Sequence, residues 1–228
     1  YRGKHVGPEE VRAWLDQSTS NHDQRALFNI LKATRFLSEA DVLDRIRSAL
    51  LTVTGMVDAV VRKKASDRRN DIIVTYVDGE GKSGQKYASM YAEENLISIK
   101  SILPPTNFDE AYQKHVELHG NPKAIVIVDD MVGTGKSLAA NIKMFHDDHL
   151  ARLPEDGPLV VAFALLATKD GQQTLLREMS KLSYNKMNFR AGEILDENVS
   201  VFAGDKGVFA TSDERDRAKA LAINIGAS

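Results

Sequence analysis

The chain has 228 residues, a formal charge of −2, 43% hydrophobic and 27% charged residues, which fits one sizeable core plus an appended element and excludes a global attraction to nucleic acid. With no cysteine there is no disulfide framework, no thiolate nucleophile and no cysteine-ligated zinc. No apolar run approaches a membrane span and the first residues do not form a secretory signal, so the expectation is a cytoplasmic protein with no membrane contact.

Residues 1–70 read as an N-terminal helical extension. Pro8, Glu9 and Glu10 open a segment with Val11, Trp14 and Leu15 on one side, and a second helix is expected over 23–36 with Leu27, Ile30 and Leu31 near a common face. Ser38 with Asp41 suggests the start of a third, in which Val42, Leu43, Ile46 and Leu50 repeat at helical spacing. Nothing here has catalytic spacing; the amphipathic front offers a surface to a second copy of the chain or to another protein. Arg62, Lys63, Lys64, Arg68 and Arg69, broken by Asp67, read as a solvated helix end or as a phosphate, nucleic-acid or partner contact; without interleaved aromatics they do not describe single-strand stacking.

From Asp71 to the last residue the pattern is that of an α/β domain built on an open, mainly parallel sheet flanked by helices. Ile72 to Val77 is the first expected strand. The turn-rich stretch DGEGKSG, residues 78–84, then leads into a helix over 85–94 and reads as an exposed loop or as an anion receiver using Lys82 and Ser83. Leu96 to Lys100 is a short expected strand, Pro104 and Pro105 interrupt regular structure, and a helix runs from Asn107 or Asp109 to His119, closed by Gly120.

The most informative stretch is KAIVIVDDMVGTGKSL, residues 123–138. Five apolar residues, Ala124 to Val128, run without alternation, as in a strand buried on both faces, and then Asp129 and Asp130 arrive together. Gly133, Thr134 and Gly135 make a turn, Lys136 supplies a charge, and Ser137 is placed to cap the helix that follows. Helix-start amides, two hydroxyls and an ammonium suit a phosphate, whereas paired carboxylates suit hydroxyl groups or a divalent cation. The ligand implied is a phosphate joined to a polyol, such as a ribose 5-phosphate moiety. Gly135-Lys136-Ser137 also reads GKS, but a nucleoside triphosphatase phosphate loop needs a glycine where this chain has Asp130.

VIVDDMVGTGKSL resembles the phosphoribosyl diphosphate-binding motif of type I phosphoribosyltransferases. The resemblance implies a phosphoribosyltransferase-like sheet domain over residues 71–228. It also implies that Asp129 and Asp130 hold the ribose 2- and 3-hydroxyls and act in catalysis, and that Gly133, Thr134, Gly135, Lys136 and Ser137 wrap the 5-phosphate. Lys82 and Ser83 would lie in a diphosphate-binding loop, with Mg2+ as the cofactor and phosphoribosyl diphosphate as substrate or ligand. Members acting on hypoxanthine and guanine usually carry an aspartate, the proposed base, where this chain has Gly133. Together with the helical front, this makes the chain similar to phosphoribosyltransferase-like proteins of bacterial conflict and phage-defence systems. Two functions stay open: glycosyl transfer at ribose C1 with diphosphate release, or a related hydrolysis; and a catalytically weak sensor or effector module in a defence complex.

Beyond the motif, His146, Asp147, Asp148 and His149 look metal-like, but consecutive helical residues point in different directions and cannot converge on one ion. Leu159 to Leu166 is the neighbouring central strand, with Thr168, Lys169 and Asp170 at its ligand-facing end. A helix follows over 172–182, residues 183–198 lack a persistent period, and 199–203 is a final expected strand. Thr211 with Glu214 forms a capping box for a terminal helix. In the resembling enzymes this later region helps select the base, which makes Phe189, Arg190, Phe202 and Phe209 candidates for that wall.

Overall fold

A computed structural model describes residues 6–57, 69–78, 82–196, 200–204 and 208–226. The chain divides into two compact units, residues 39–195 and residues 1–38 with 196–228. The larger holds a four-stranded parallel sheet in the order β1 (Ile72–Thr75), β2 (Ala124–Val132), β3 (Leu159–Thr168), β4 (Met187–Leu195). Around it run α3 (Glu39–Met56), α4 (Ser83–Glu94), α5 (Phe108–His119), α6 (Lys136–Asp148) and α7 (Lys169–Met179). In the other unit are α1 (Pro8–Leu15), α2 (Asn21–Ala33) and α8 (Ser212–Gly226). The chain is thus α/β with a parallel sheet and helices ahead of it, as the sequence leads one to expect.

The sheet is buried on both faces, which is why its central strands read as unbroken apolar runs. Ile125 and Ile127 of β2 pack with Phe108, Ile142, Phe145 and Leu175 from α5, α6 and α7. Val126 and Val128 face the opposite layer, with Ile46 and Val53 of α3 and Ala88 and Tyr91 of α4. Each fully buried isoleucine or phenylalanine contributes about 1.5–3 kcal/mol, so this three-layer core fixes the register on which the loops at the strand ends depend. The front helices do not form one block: α3 packs on the sheet and belongs to its unit, whereas α1 and α2 group with α8.

Three segments differ from the sequence expectation. Leu96 to Lys100 is no strand; Leu96 has φ +54°, the Ser98 hydroxyl accepts from the Lys100 N–H at 3.2 Å, and residues 99–101 coil into a 3-10 turn. Only the next two residues reach β1, through an Ile102 bridge to Val74 and a Leu103 N–H bond to the Val74 carbonyl at 2.9 Å. The aperiodic stretch after residue 183 contains β4, an edge strand whose inward Phe189 is fully buried while Arg190 is exposed. Of the strand expected over 199–203, the described residues 200–203 form turns. Arg62, Lys63, Lys64 and Arg68 of the basic run lie outside the described residues.

In the smaller unit Ser20 caps α2 by accepting from Asp23, and Ala26 and Leu27 are buried on the helix's inward side. The expected capping box at α8 is present: Glu214 N–H donates to Thr211 Oγ1, and Glu214 Oε2 accepts from Ala210 N–H, both at 3.2 Å.

Candidate functional site

Parallel strands deliver their following loops to one edge of the sheet, the carboxyl edge. Asp78 arrives there after β1, residues 133–135 after β2, and the first turn of α7 after β3.

The acidic pair lies inside β2 rather than at its end, because pairing with β3 continues from Asp129–Ala164 to Val132–Ala167. One oxygen of each carboxylate is tied back to the neighbouring backbone. Asp130 N–H donates to Asp129 Oδ1 at 2.8 Å, and Met131 N–H donates to Asp130 Oδ1 at 2.7 Å. Burial pushes the Asp129 carboxyl up from 3.8 to about 7; the amide bond opposes this, while Asp130 and Asp78 nearby add to it. Asp129 therefore sits near half-protonation at neutral pH, ready to share hydrogen bonds with a diol or to ionise fully beside a cation.

The turn after β2 is held by backbone contacts that only glycine permits. Gly135 has φ +75°, and a Cβ there would lie 2.5 Å from the Gly171 carbonyl oxygen. A Cβ on Gly171 would lie 2.2 Å from the Gly133 carbonyl oxygen. Thr168 Oγ1 donates to that same Gly133 oxygen at 2.5 Å and accepts from Gly171 N–H at 3.0 Å, so the β2 turn and the start of α7 are locked together. Gly133 itself has nothing within 4 Å of an added Cβ.

Helix α6 begins at Lys136 with Gly135 as its N-cap, two residues earlier than a Ser137 cap implies, because the left-handed glycine turns the chain into the helix sooner. No side chain caps this terminus and its first turn holds no acidic residue. Its orphan N–H groups, the exposed Lys136 and Ser137, and the exposed Thr134 form a concentration of positive potential beside Asp129 and Asp130. Asp129, Asp130, Gly133, Thr134, Gly135, Lys136 and Ser137 thus lie on one continuous strand, turn and helix start.

Lys82 and Ser83 lie at the start of α4, where Lys82 is the N-cap and contributes no capping bond. Asp78 takes that role instead, its Oδ2 accepting from Gly84 N–H at 2.8 Å. Asp78 Oδ1 is buried with no hydrogen-bond partner. Asp78 and Gly171 escaped the sequence reading because both matter through contacts across loops; the glycine itself, at the third position of a helix, was the available signal for Gly171.

The expected wall residues do not gather. Phe189 is core, and Arg190 Nη1 bonds the Asn188 side chain and the Phe189 carbonyl. Phe202 and Phe209 stack on each other in the smaller unit, with centroids 6.0 Å apart. His146 bonds Asp147 and Ser183, His149 bonds Asp109, and among the described residues no group of three or more such side chains is arranged to hold a metal. A magnesium ion would therefore be shared between one or two carboxylates and the oxygens of a ligand, a division this hard cation commonly accepts. Among the described residues no helix is long and apolar enough to cross a membrane.

A search of curated proteins returns no match. The family model described as PRTase-CE matches residues 11–227, covering both the helical front and the sheet with its acidic pair and glycine turn. The chain belongs to the PRTase-CE family, of phosphoribosyltransferase type.

Proposed function

We propose that this chain binds a phosphoribosyl ligand at the carboxyl end of β2. The observation that carries the reading is the junction of an acidic pair with an uncapped helix terminus, through a left-handed glycine that brings the two together. Asp129 and Asp130 accept hydrogen bonds from the ribose hydroxyls, while the amides of α6, with Thr134, Lys136 and Ser137, take the 5-phosphate. Phosphoribosyl diphosphate is the donor that the family resemblance implies. With it the chemistry is displacement at ribose C1: the C1–O bond to diphosphate breaks, the leaving group takes the electron pair, and a nitrogenous acceptor or water forms the new bond. The chain's residues contribute by fixing the sugar and by electrostatics around the cationic C1, with no covalent nucleophile required. Magnesium, when bound, neutralises the leaving diphosphate.

A second reading is a sensor or effector module of a bacterial defence complex, binding without turnover. Gly133 favours it, since it leaves the turn with no side chain at a place where one would fit. The two readings share the pocket and differ in whether diphosphate is released.

The test is titration calorimetry with ribose 5-phosphate and phosphoribosyl diphosphate, followed by an assay of magnesium-dependent diphosphate release with and without candidate bases. Saturable binding that weakens at least about tenfold in a folded Asp130→Asn variant is expected, because a carboxylate bond to a hydroxyl contributes about 1.5–3 kcal/mol. Affinity unchanged by that substitution removes the assignment.

A further inference from the structure

Two helix termini face the carboxyl edge of the sheet, and only one lacks an anion. At α4 the N-cap residue is Lys82, which has no acceptor to offer the first-turn amides. The acceptor comes from outside the helix: Asp78, beyond the end of β1, places Oδ2 at 2.8 Å from Gly84 N. The fit is close enough that a Cβ on Gly84 would overlap Asp78 Oδ1 at 1.9 Å, so the carboxylate lies directly against the glycine. That Oδ1 is buried and has no hydrogen-bond partner. A capping carboxylate at a helix end usually keeps its second oxygen in water; here it is withdrawn from solvent and held in the field of Asp129.

We propose that Asp78 is a specificity-determining residue, an internal anion that fills the second anion position at this edge, so that the site takes a ribose ligand carrying a single phosphate and no diphosphate. The inference rests on the phosphoribosyl reading and narrows its ligand. Two physical effects act together. The amide that a second phosphate group would use at α4 is already bonded to a carboxylate. A diphosphate brought to that end of the site would also meet Asp78, Asp129 and Asp130, three acidic side chains on one side of the sugar. The 5-phosphate is spared, since α6 has no acid in its first turn. A ribose 5-phosphate whose C1 substituent is uncharged satisfies both ends; a nucleoside 5-monophosphate is the common molecule of that class.

The experiment is calorimetric titration of the full chain with ribose 5-phosphate and with phosphoribosyl diphosphate, each with and without magnesium, in the wild type and in Asp78→Asn and Asp78→Ala. The asparagine variant keeps an acceptor for the Gly84 amide and removes the charge, so it guards against loss of folding. In the wild type the two ligands are expected to bind within about threefold of each other, with or without magnesium. In Asp78→Asn the diphosphate ligand should tighten at least tenfold while ribose 5-phosphate moves less than threefold. A wild type that prefers phosphoribosyl diphosphate tenfold or more overturns the proposal and leaves the phosphoribosyl reading standing. Variants in which both ligands shift equally overturn it too. If the wild type binds neither ligand, the phosphoribosyl reading itself fails and the proposal falls with it.

Discussion

The starts of α4 and α6 open on the same edge of one sheet and are finished in opposite ways. At α6 the cap is a left-handed glycine with no side chain, and the helix presents its amides beside a lysine. At α4 the first-turn amide of Gly84 is satisfied by Asp78 from the preceding loop. Both arrangements answer the same requirement, that the orphan donors of a helix terminus find an acceptor. The difference teaches that a helix start is a candidate anion site only when the chain has left it unfilled, and that glycine at the N-cap is a better sign of this than a lysine nearby.

The contrast can be broken most severely at Gly135. Replacing it with valine forces a β-branched residue to φ +75° and puts a Cβ 2.5 Å from the Gly171 carbonyl oxygen. We expect a destabilisation of about 2–4 kcal/mol in denaturant titrations, and a fall in ribose 5-phosphate affinity of at least about thirtyfold in the population that stays folded. A variant with wild-type affinity and melting behaviour would show that the turn does not need its left-handed glycine.

Asp129→Asn sharpens the comparison from the acidic side. The folded-state value of about 7 lies above the 3.8 of a free aspartate, so between those values the native state holds a proton that the unfolded chain has lost. Stability from this group is therefore lost as pH rises through that window, and the neutral amide escapes the loss. The gain of Asp129→Asn over wild type should be small near pH 4 and on the order of 3 kcal/mol by pH 8, read from chemical denaturation at both pH values. A gain independent of pH would mean that the carboxyl is not held up by burial.

The smallest expected effect is at Gly133. Open space surrounds its missing Cβ and its φ is not in the left-handed region, so Gly133→Ala should change stability by less than about 0.5 kcal/mol and affinity by less than about twofold. A loss comparable to that of Gly135→Val would mean that the ligand itself packs against residue 133.

The unit from Ala124 to the start of α6 is legible because each signal in it is local: an apolar run without alternation, two acids, a turn and a helical period. What was lost depended on distant partners. β4 looked aperiodic because it is an edge strand, with Phe189 facing the core and Glu193 meeting Arg45 of α3. Leu96 to Lys100 looked like a strand by composition, yet Ser98 bonds its own neighbourhood and Ile99 is left exposed. Asp78 had no local mark at all, since the amide it serves lies beyond a loop whose path the residues do not announce.

The crossing of Gly135 with Gly171 also sets an order of events. A chain emerging from the ribosome has made the acidic pair and its turn well before it has made the residue on which that turn leans. Until β3 has been laid down and α7 has started, nothing backs the turn, and a fragment ending after α6 would carry the whole sequence signature without the means to hold its shape.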